Sequence, residues 1–361
     1  MTETEEQGLR EIRVNPIVPS ESVLVSTARG LRPRKQEEAP ETDSREHVET
    51  CPFCVGNEDM TPEAIMTWPP GEQWRIRVVE NLFPVLSEQQ NSAALNMGMQ
   101  KVIDGYGRHE VVIDHSTHGM QVGQMDIEHI AGLFGVFKQR MTTLYQNDAR
   151  LKYVLVFKNY GPAAGASIAH THSQIVAMPV VPENVINELV HTRAYYQKYS
   201  VNLFQTLIDE ALTFEATIYD RESGEVRRKI NVGQYVVERG EHFIAIKPFA
   251  SRFEWEVQIY PLRPQADFVE INEAQLHDFA TVLKRTLQRL DHVVGGVQYN
   301  FFLHSLPHAA EYEDCRESYC WHLEICPRTS IPTGFELGSG LFVSTVSPEE
   351  AAEKLRAVQL D

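Results

Sequence analysis

Apolar residues recur at helical spacing in two long stretches of the chain. From Asp126 to Asn147 the stripe is Ile127, Ile130, Leu133, Phe134, Phe137, Met141 and Leu144, with Asp126 placed to cap it. From Asn272 to His292 it is Leu276, Phe279, Ala280, Leu283, Leu287 and Leu290. A third helix is expected from Glu183 to Ser200, after Pro182. Short β-rich runs bounded by Gly, Pro and polar clusters predict strands at 22–26, 75–79, 109–114, 153–157, 175–177, 242–248, 254–261, 297–304 and 320–327. One order occurs twice: helix, strand, loop, then a strand that opens on His-x-polar and closes on proline. The two His-x-polar sites are 152 residues apart and the two helix starts 146 apart. Such self-similarity predicts a duplicated α+β unit, each copy an antiparallel sheet with packed helices, and a division into 1–182 and 183–361.

Composition narrows the partners. The 361 residues allow about two domains, and 42% hydrophobic with 23% charged residues is an ordinary globular balance. A formal net charge of −17 argues against nucleic acid, whose phosphates select for excess Lys and Arg. No apolar run reaches membrane-spanning length, and the acidic start Met1-Thr2-Glu3-Thr4-Glu5-Glu6 lacks the features of a signal peptide, so a cytoplasmic protein is expected. Five cysteines, two of them in a CxxC, favour metal or free thiols over disulfides. Against the acidic background, Arg29, Arg32 and Arg34 reverse the sign locally and form a candidate phosphate clamp. Lys35 to Val48 reads as a charged loop.

The chemistry gathers in Gly165-Ala166-Ser167-Ile168-Ala169-His170-Thr171-His172-Ser173-Gln174, a small-residue turn running into a strand. Strand alternation puts His170, His172 and Gln174 on one face. The turn lets a phosphate approach backbone N–H groups. Isolated His-x-His pairs are mostly surface residues; the third polar residue in register and the upstream CxxC reverse that here. Cys51-Pro52-Phe53-Cys54, followed by Gly56, is a knuckle that presents two thiolates to zinc. A redox CxxC would open a long helix, which Gly56 and Pro62 interrupt. The knuckle needs two more ligands, from among His109, His115, His118 and His170. A neutral imidazole can attack phosphorus, and a neutral Gln beside it can donate to a phosphoryl oxygen. Zinc held by two thiolates and two imidazoles has no open position and is structural. The residues therefore point to phosphoryl or nucleotidyl transfer through histidine beside a closed zinc site.

The CxxC, Asn159 before the Gly/Ala/Ser loop, and His170-Thr171-His172-Ser173-Gln174 resemble the galactose-1-phosphate uridylyltransferase family of the histidine-triad superfamily, over about Val14 to Arg356. The resemblance implies an α+β fold of duplicated histidine-triad-like units, a cytoplasmic homodimer, and ping-pong transfer from UDP-glucose to a hexose 1-phosphate in galactose metabolism. It implies His172 as nucleophile and Gln174 as its phosphate-binding neighbour. Ser167 and Asn159 would meet phosphoryl and leaving groups, with Arg29, Arg32 and Asn81 near nucleotide or phosphate. Cys51, Cys54, His118 and His170 would hold zinc. Glu188, His304 and His322 match a second metal site, iron or zinc, whose remaining ligand is usually histidine but here is Glu324, a carboxylate that can also bind metal.

The chain departs from that family after Gly334-Phe335-Glu336, where a glutamine that contacts the hexose phosphate is replaced by the expected loop Leu337-Gly338-Ser339-Gly340. With Arg77-Val78-Val79-Glu80-Asn81-Leu82, this also resembles the ADP-glucose phosphorylase branch, in which adenylate passes to phosphate. A non-catalytic zinc-stabilised nucleotide-binding protein is the alternative of another class, and the retained His172 and Gln174 oppose it. A nucleic-acid module using Cys315 and Cys320 is opposed by their Cys-x4-Cys spacing and by the acidity.

Overall fold

The computed structural model describes residues 9–31, 43–91 and 93–360. Seventeen strands are described. They are β1 (Arg10–Val14), β2 (Ser22–Ser26), β3 (Ala64–Trp68), β4 (Ile76–Glu80), β5 (Ala94–Met97), β6 (Gln100–Ile103), β7 (Arg108–Ile113), β8 (Tyr153–Tyr160), β9 (His172–Met178), β10 (Glu215–Tyr219), β11 (Val226–Asn231), β12 (Val236–Arg239), β13 (Phe243–Ile246), β14 (Val257–Pro261), β15 (Tyr299–His304), β16 (His322–Pro327) and β17 (Phe342–Ser344). The helices are α1 (Ile127–Asn147), α2 (Glu183–Tyr199), α3 (Leu203–Thr213), α4 (Glu273–Val294), α5 (Gly334–Ser339) and α6 (Pro348–Ala357).

Ten strands form one sheet in the order β12-β13-β14-β16-β15-β8-β9-β7-β4-β3, antiparallel throughout. Read outward from its middle, the order is β8-β9-β7-β4-β3 on one side and β15-β16-β14-β13-β12 on the other. Each side therefore repeats the same five-strand topology, with α1 or α4 inserted between its third and fourth strands in sequence. The repeat in the sequence is thus a repeat in the fold. The two copies share a single sheet, because β8 pairs with β15 from Val156↔Leu303 to Tyr160↔Tyr299.

One face carries the helices. Asp126 caps α1 by accepting from the His129 N–H, and Asn272 with Gln275 forms a capping box on α4. Their apolar stripes meet across the join, where Phe134 and Phe279 lie edge to face with ring centroids 4.7 Å apart. Beneath them sit Val112, Val156, Ile175, Phe301, Leu323 and Ile259, one continuous core fed by both halves. The opposite face is covered differently in each half. The first is closed by the 51–54 knuckle with Trp74, Val79, Val111 and Ile113. The second is covered by Ile17, Val18, α2 and α3, which leave a cavity of about 540 Å³. No described helix is long and apolar enough to cross a membrane.

Several elements differ from expectation. Gly334–Ser339 is a short helix with a Thr333/Glu336 capping box, not a loop, and the N–H of Gly340 is spent on the Glu336 carbonyl. The glycines there therefore offer a phosphate less free backbone than a loop would. β8 runs three residues past the expected end at Phe157, because β15 pairs with it up to Tyr160. α3, α6 and the hairpins β5–β6 and β10–β11 have no counterpart in the sequence reading.

Buried charge ties α1 to the sheet. Arg140 donates to both oxygens of Glu110 on β7, at 2.9 and 2.6 Å, and Glu110 is 1% exposed. Arg140→Met leaves that carboxylate unpaired and is expected to cost about 3–5 kcal/mol in urea unfolding. The Arg140→Met/Glu110→Met double variant should recover most of it; a single-variant loss below about 1 kcal/mol would place the pair with inconsequential surface bridges.

Candidate active site

β9 starts at His172, so alternation places His172, Gln174 and Val176 on the face away from α1, and Ile175 and Ala177 in the core beneath it. His170 precedes the strand and does not join that row; its ring turns to the knuckle instead. A polar knot holds the start of β9 from the α1 side. The wholly buried Lys158 donates to Asp114 Oδ2 at 2.7 Å, to Thr171 Oγ1 at 2.8 Å and to the His172 carbonyl at 2.9 Å. Ser173 Oγ also donates to Asp114 Oδ2, at 3.1 Å. All three ammonium protons are thus used, which is what burying a charge requires.

His172 is 8% exposed. Its Nδ1–H donates to the His170 carbonyl at 2.8 Å, so Nε2 keeps the lone pair. Burial, and then the charge of Lys158, lower its pKa and favour the neutral ring. Phe53, from the middle of the CxxC, packs edge-on against it with centroids 5.3 Å apart. Gln174 Oε1 lies 2.8 Å from His109 Nε2, and Asn81 Nδ2 lies 3.1 Å from that same nitrogen. Nucleophile candidate, amide and Asn81 therefore share one face of β9, β7 and the end of β4.

Four donors converge under the knuckle. His170 Nδ1 is 3.7 Å from Cys51 Sγ and 3.6 Å from Cys54 Sγ, and His118 Nδ1 is 3.4 Å from Cys54 Sγ. A tetrahedral ion bound to thiolate and imidazole at ordinary zinc distances spaces such atoms roughly 3.6 Å apart. The outward nitrogens are held as metal-bound imidazoles require: His170 Nε2–H donates to the His115 carbonyl at 2.7 Å, and His118 Nε2 meets Asp43 at 3.2 Å. All four residues are buried, and their chemistry fits a closed site for a soft divalent ion. The other two candidates are occupied elsewhere, His109 with Gln174 and His115 against the His129 ring.

A second buried group, Glu188, His304, His322 and Glu324, stands in the second half where His172 and Gln174 stand in the first. His322 opens β16 as His172 opens β9, and its Nδ1 likewise bonds the carbonyl two residues back, that of Cys320, at 3.0 Å. Where Gln174 stands in the first half, Glu324 stands here, clamped by Arg252 at 2.9 Å. Burial opposes ionisation of Glu324, but Arg252, His322 and His304 together outweigh it and hold the carboxyl low. Tyr319 and His304 secure both oxygens of Glu188, at 2.7 and 2.8 Å. Two carboxylates and two imidazoles with their own outer partners can hold a divalent cation.

The remaining expected residues are dispersed. Asn159 Oδ1 accepts from Asn300 at 2.8 Å at the join of the two halves, beside a cavity of about 310 Å³. Ser167 is exposed on the loop after Gly165, whose φ of 86° suits glycine. The N–H groups of Gly165 and Ala166 are spent on Pro162 and Gly161 within that turn. Arg29 is exposed in the 3-10 turn Thr27–Leu31, close enough to Glu336 to lower its pKa as a minor cause, behind the hydrogen bond from Thr333. Arg32 lies outside the described residues. Reading the sequence missed Lys158, Asp114, His109 as a partner of Gln174, Phe53 and Arg252. A charge inside an apolar strand, Lys158 in Tyr153–Tyr160, was the one signal available.

Removing a thiolate should unseat the first cluster. Cys54→Ser is expected to lower bound zinc by about one ion per chain and to lower the thermal midpoint with it. Full metal content in Cys54→Ser, by elemental analysis of protein purified without chelators, would show that this cluster is not the site.

A sequence model described as galactose-1-phosphate uridyl transferase, N-terminal domain, matches residues 1–182. ADP-glucose phosphorylase of Arabidopsis thaliana is 30% identical over 353 residues, covering 97% of this chain and 93% of that protein. Galactose-1-phosphate uridylyltransferase of Thermotoga maritima is 27% identical, covering 98% and 100%. The crystal structure of the Arabidopsis ADP-glucose phosphorylase with bound ADP-glucose superposes with a TM-score of 0.80 at 28% identity, over 98% of this chain and all of that one. With the paired histidines, the CxxC and the duplicated sheet all in place, and half its length matched by the family's own model, this chain belongs to the galactose-1-phosphate uridyl transferase family.

Proposed function

We propose that this chain is a nucleotidyltransferase that works through a covalent nucleotidyl-His172. The observation that carries the reading is the hydrogen bond from His172 Nδ1–H to the His170 carbonyl, which leaves Nε2 as an oriented, buried nucleophile. Nε2 attacks the α-phosphorus of a nucleotide sugar. The N–P bond forms, the bridging P–O bond breaks, and the sugar 1-phosphate leaves. The modified imidazole is cationic, and its Nδ1–H bond to the carbonyl becomes charge-assisted. An acceptor phosphate oxygen then attacks phosphorus and restores the histidine. Gln174 donates to a non-bridging oxygen throughout, Asn81 lies on the nucleotide side, and Asn159 and Ser167 meet phosphoryl and leaving group. Arg29 and Arg32 supply positive charge.

Cys51, Cys54, His118 and His170 would hold zinc in a closed site, where it would fix the position of His170 and hence of its carbonyl and would take no part in bond making. The donor set supports zinc there and supports iron or zinc at the second cluster. Division at residue 182 is supported by the end of the matching family model. A cytoplasmic homodimer is the expected setting.

Two donor–acceptor pairs fit this chemistry. Uridylyl transfer from UDP-glucose to a hexose 1-phosphate is supported by the family model and the Thermotoga relative. Adenylyl transfer from ADP-glucose to phosphate is favoured by the 30% identity to the Arabidopsis phosphorylase and by the absence of a glutamine after Glu336.

Incubation with radiolabelled UDP-glucose and, separately, ADP-glucose should leave an acid-labile, base-stable label on His172. Label persisting in His172→Ala, or mapped to His170, would refute the assignment. Chasing the labelled protein with galactose 1-phosphate or inorganic phosphate then separates the two pairs: release by phosphate alone makes it a phosphorylase, release by the sugar phosphate alone a uridylyltransferase.

A further inference from the structure

A carboxamide can turn over with no change of shape, exchanging a donor for an acceptor. For Gln174 to donate to a phosphoryl oxygen, its own oxygen must be held elsewhere. His109, on β7 and 8% exposed, is placed to do this. The Val85 N–H donates to His109 Nδ1 at 3.2 Å. A backbone N–H only donates, so Nδ1 carries the lone pair and the single proton of the neutral ring is on Nε2. Burial pushes the pKa of this ring down, which maintains that form. Nε2 lies 2.8 Å from Gln174 Oε1 and donates to it. Asn81 Nδ2 sits 3.1 and 3.4 Å from the two ring nitrogens. An in-plane approach at both distances would collide with the carbon between them, so Asn81 lies over the ring face and leaves the in-plane lone pair of Nδ1 to Val85 and the in-plane N–H of Nε2 to Gln174. Among the described residues, no acceptor meets the Gln174 amide nitrogen, which is therefore the free end.

We propose that His109 is a positioning residue for nucleotidyl transfer: it accepts from Val85, donates to Gln174, and so fixes the NH2 group of Gln174 as the end presented to the phosphoryl group. The inference rests on the reading of His172 as nucleophile. It also links two parts of the site. Val85 and Asn81 share a short loop, closed by the Phe83 N–H donating to Asn81 Oδ1 at 2.9 Å, so the ring joins the Asn81 loop to the phosphate-binding amide.

The test compares His109→Leu and His109→Gln, each alone and with Gln174→Ala, in zinc-replete protein of unchanged thermal midpoint. His109→Leu should lower the single-turnover rate of His172 labelling about tenfold or more with little change in KM. His109→Gln, whose amide can accept from Val85 and donate to Gln174, should recover most of that rate. In the Gln174→Ala background, His109→Leu should cost nothing further. An equal loss in both backgrounds, or a normal rate in His109→Leu, would overturn the proposal. Independently of activity, imidazole nitrogen NMR of the unaltered protein should show His109 protonated on Nε2. Protonation on Nδ1 would overturn the positioning role while leaving the His172 chemistry standing, whereas an unaltered protein that takes no label from either nucleotide sugar would overturn both.

Discussion

The site depends on how the start of β9 is held. Two anchors act there from opposite sides of the sheet. On one side His170 Nδ1 faces the Cys51 and Cys54 thiols; on the other the Lys158 ammonium grips Asp114, Thr171 and the His172 carbonyl. A histidine on a loop would lose orientation with every backbone fluctuation. Here the carbonyl that sets the His172 tautomer belongs to a residue whose own side chain is a metal ligand candidate. The knuckle supplies orientation a second time, because Phe53 between its cysteines packs on the His172 ring. The Cys51/Cys54/His118/His170 cluster, the strand start and the His172 ring are thus one mechanical unit.

Duplication explains the architecture, and divergence explains the chemistry. Both halves use the same five-strand order, and both place a histidine at the head of the corresponding strand with Nδ1 tied to the carbonyl two residues back. Two residues on, one half has a neutral amide and the other a carboxylate clamped by Arg252. An amide can donate to a phosphoryl oxygen; a carboxylate repels it and attracts a cation instead. The same scaffold position therefore suits an anionic substrate in the first half and a divalent ion in the second. The shared sheet keeps the two in fixed register through β8 and β15.

The parts of this protein legible in its residue pattern are those that short-range physics controls. Helical periodicity with caps at Asp126 and Asn272 gave α1 and α4, β-rich runs gave the central strands, and the duplicated order gave a duplicated fold. The paired histidines, Gln174 and the CxxC stood out because their residue types are rare at such spacing. Residue patterns leave four histidines open as partners of the cysteines; the tertiary fold brings His118 and His170 to them, as the resemblance implies, and joins the two sheets into one. It also places His109 against Gln174 and makes Gly334–Ser339 helical. Apart from that helix, whose Thr333/Glu336 capping box is local, those outcomes depend on partners far apart in the chain: Cys54 with His118, His109 with Gln174, Val156 with Leu303. Local pattern specifies which face a side chain occupies. It carries no information about which distant segment covers that face, because that is set by burying the largest apolar area with every buried polar group paired.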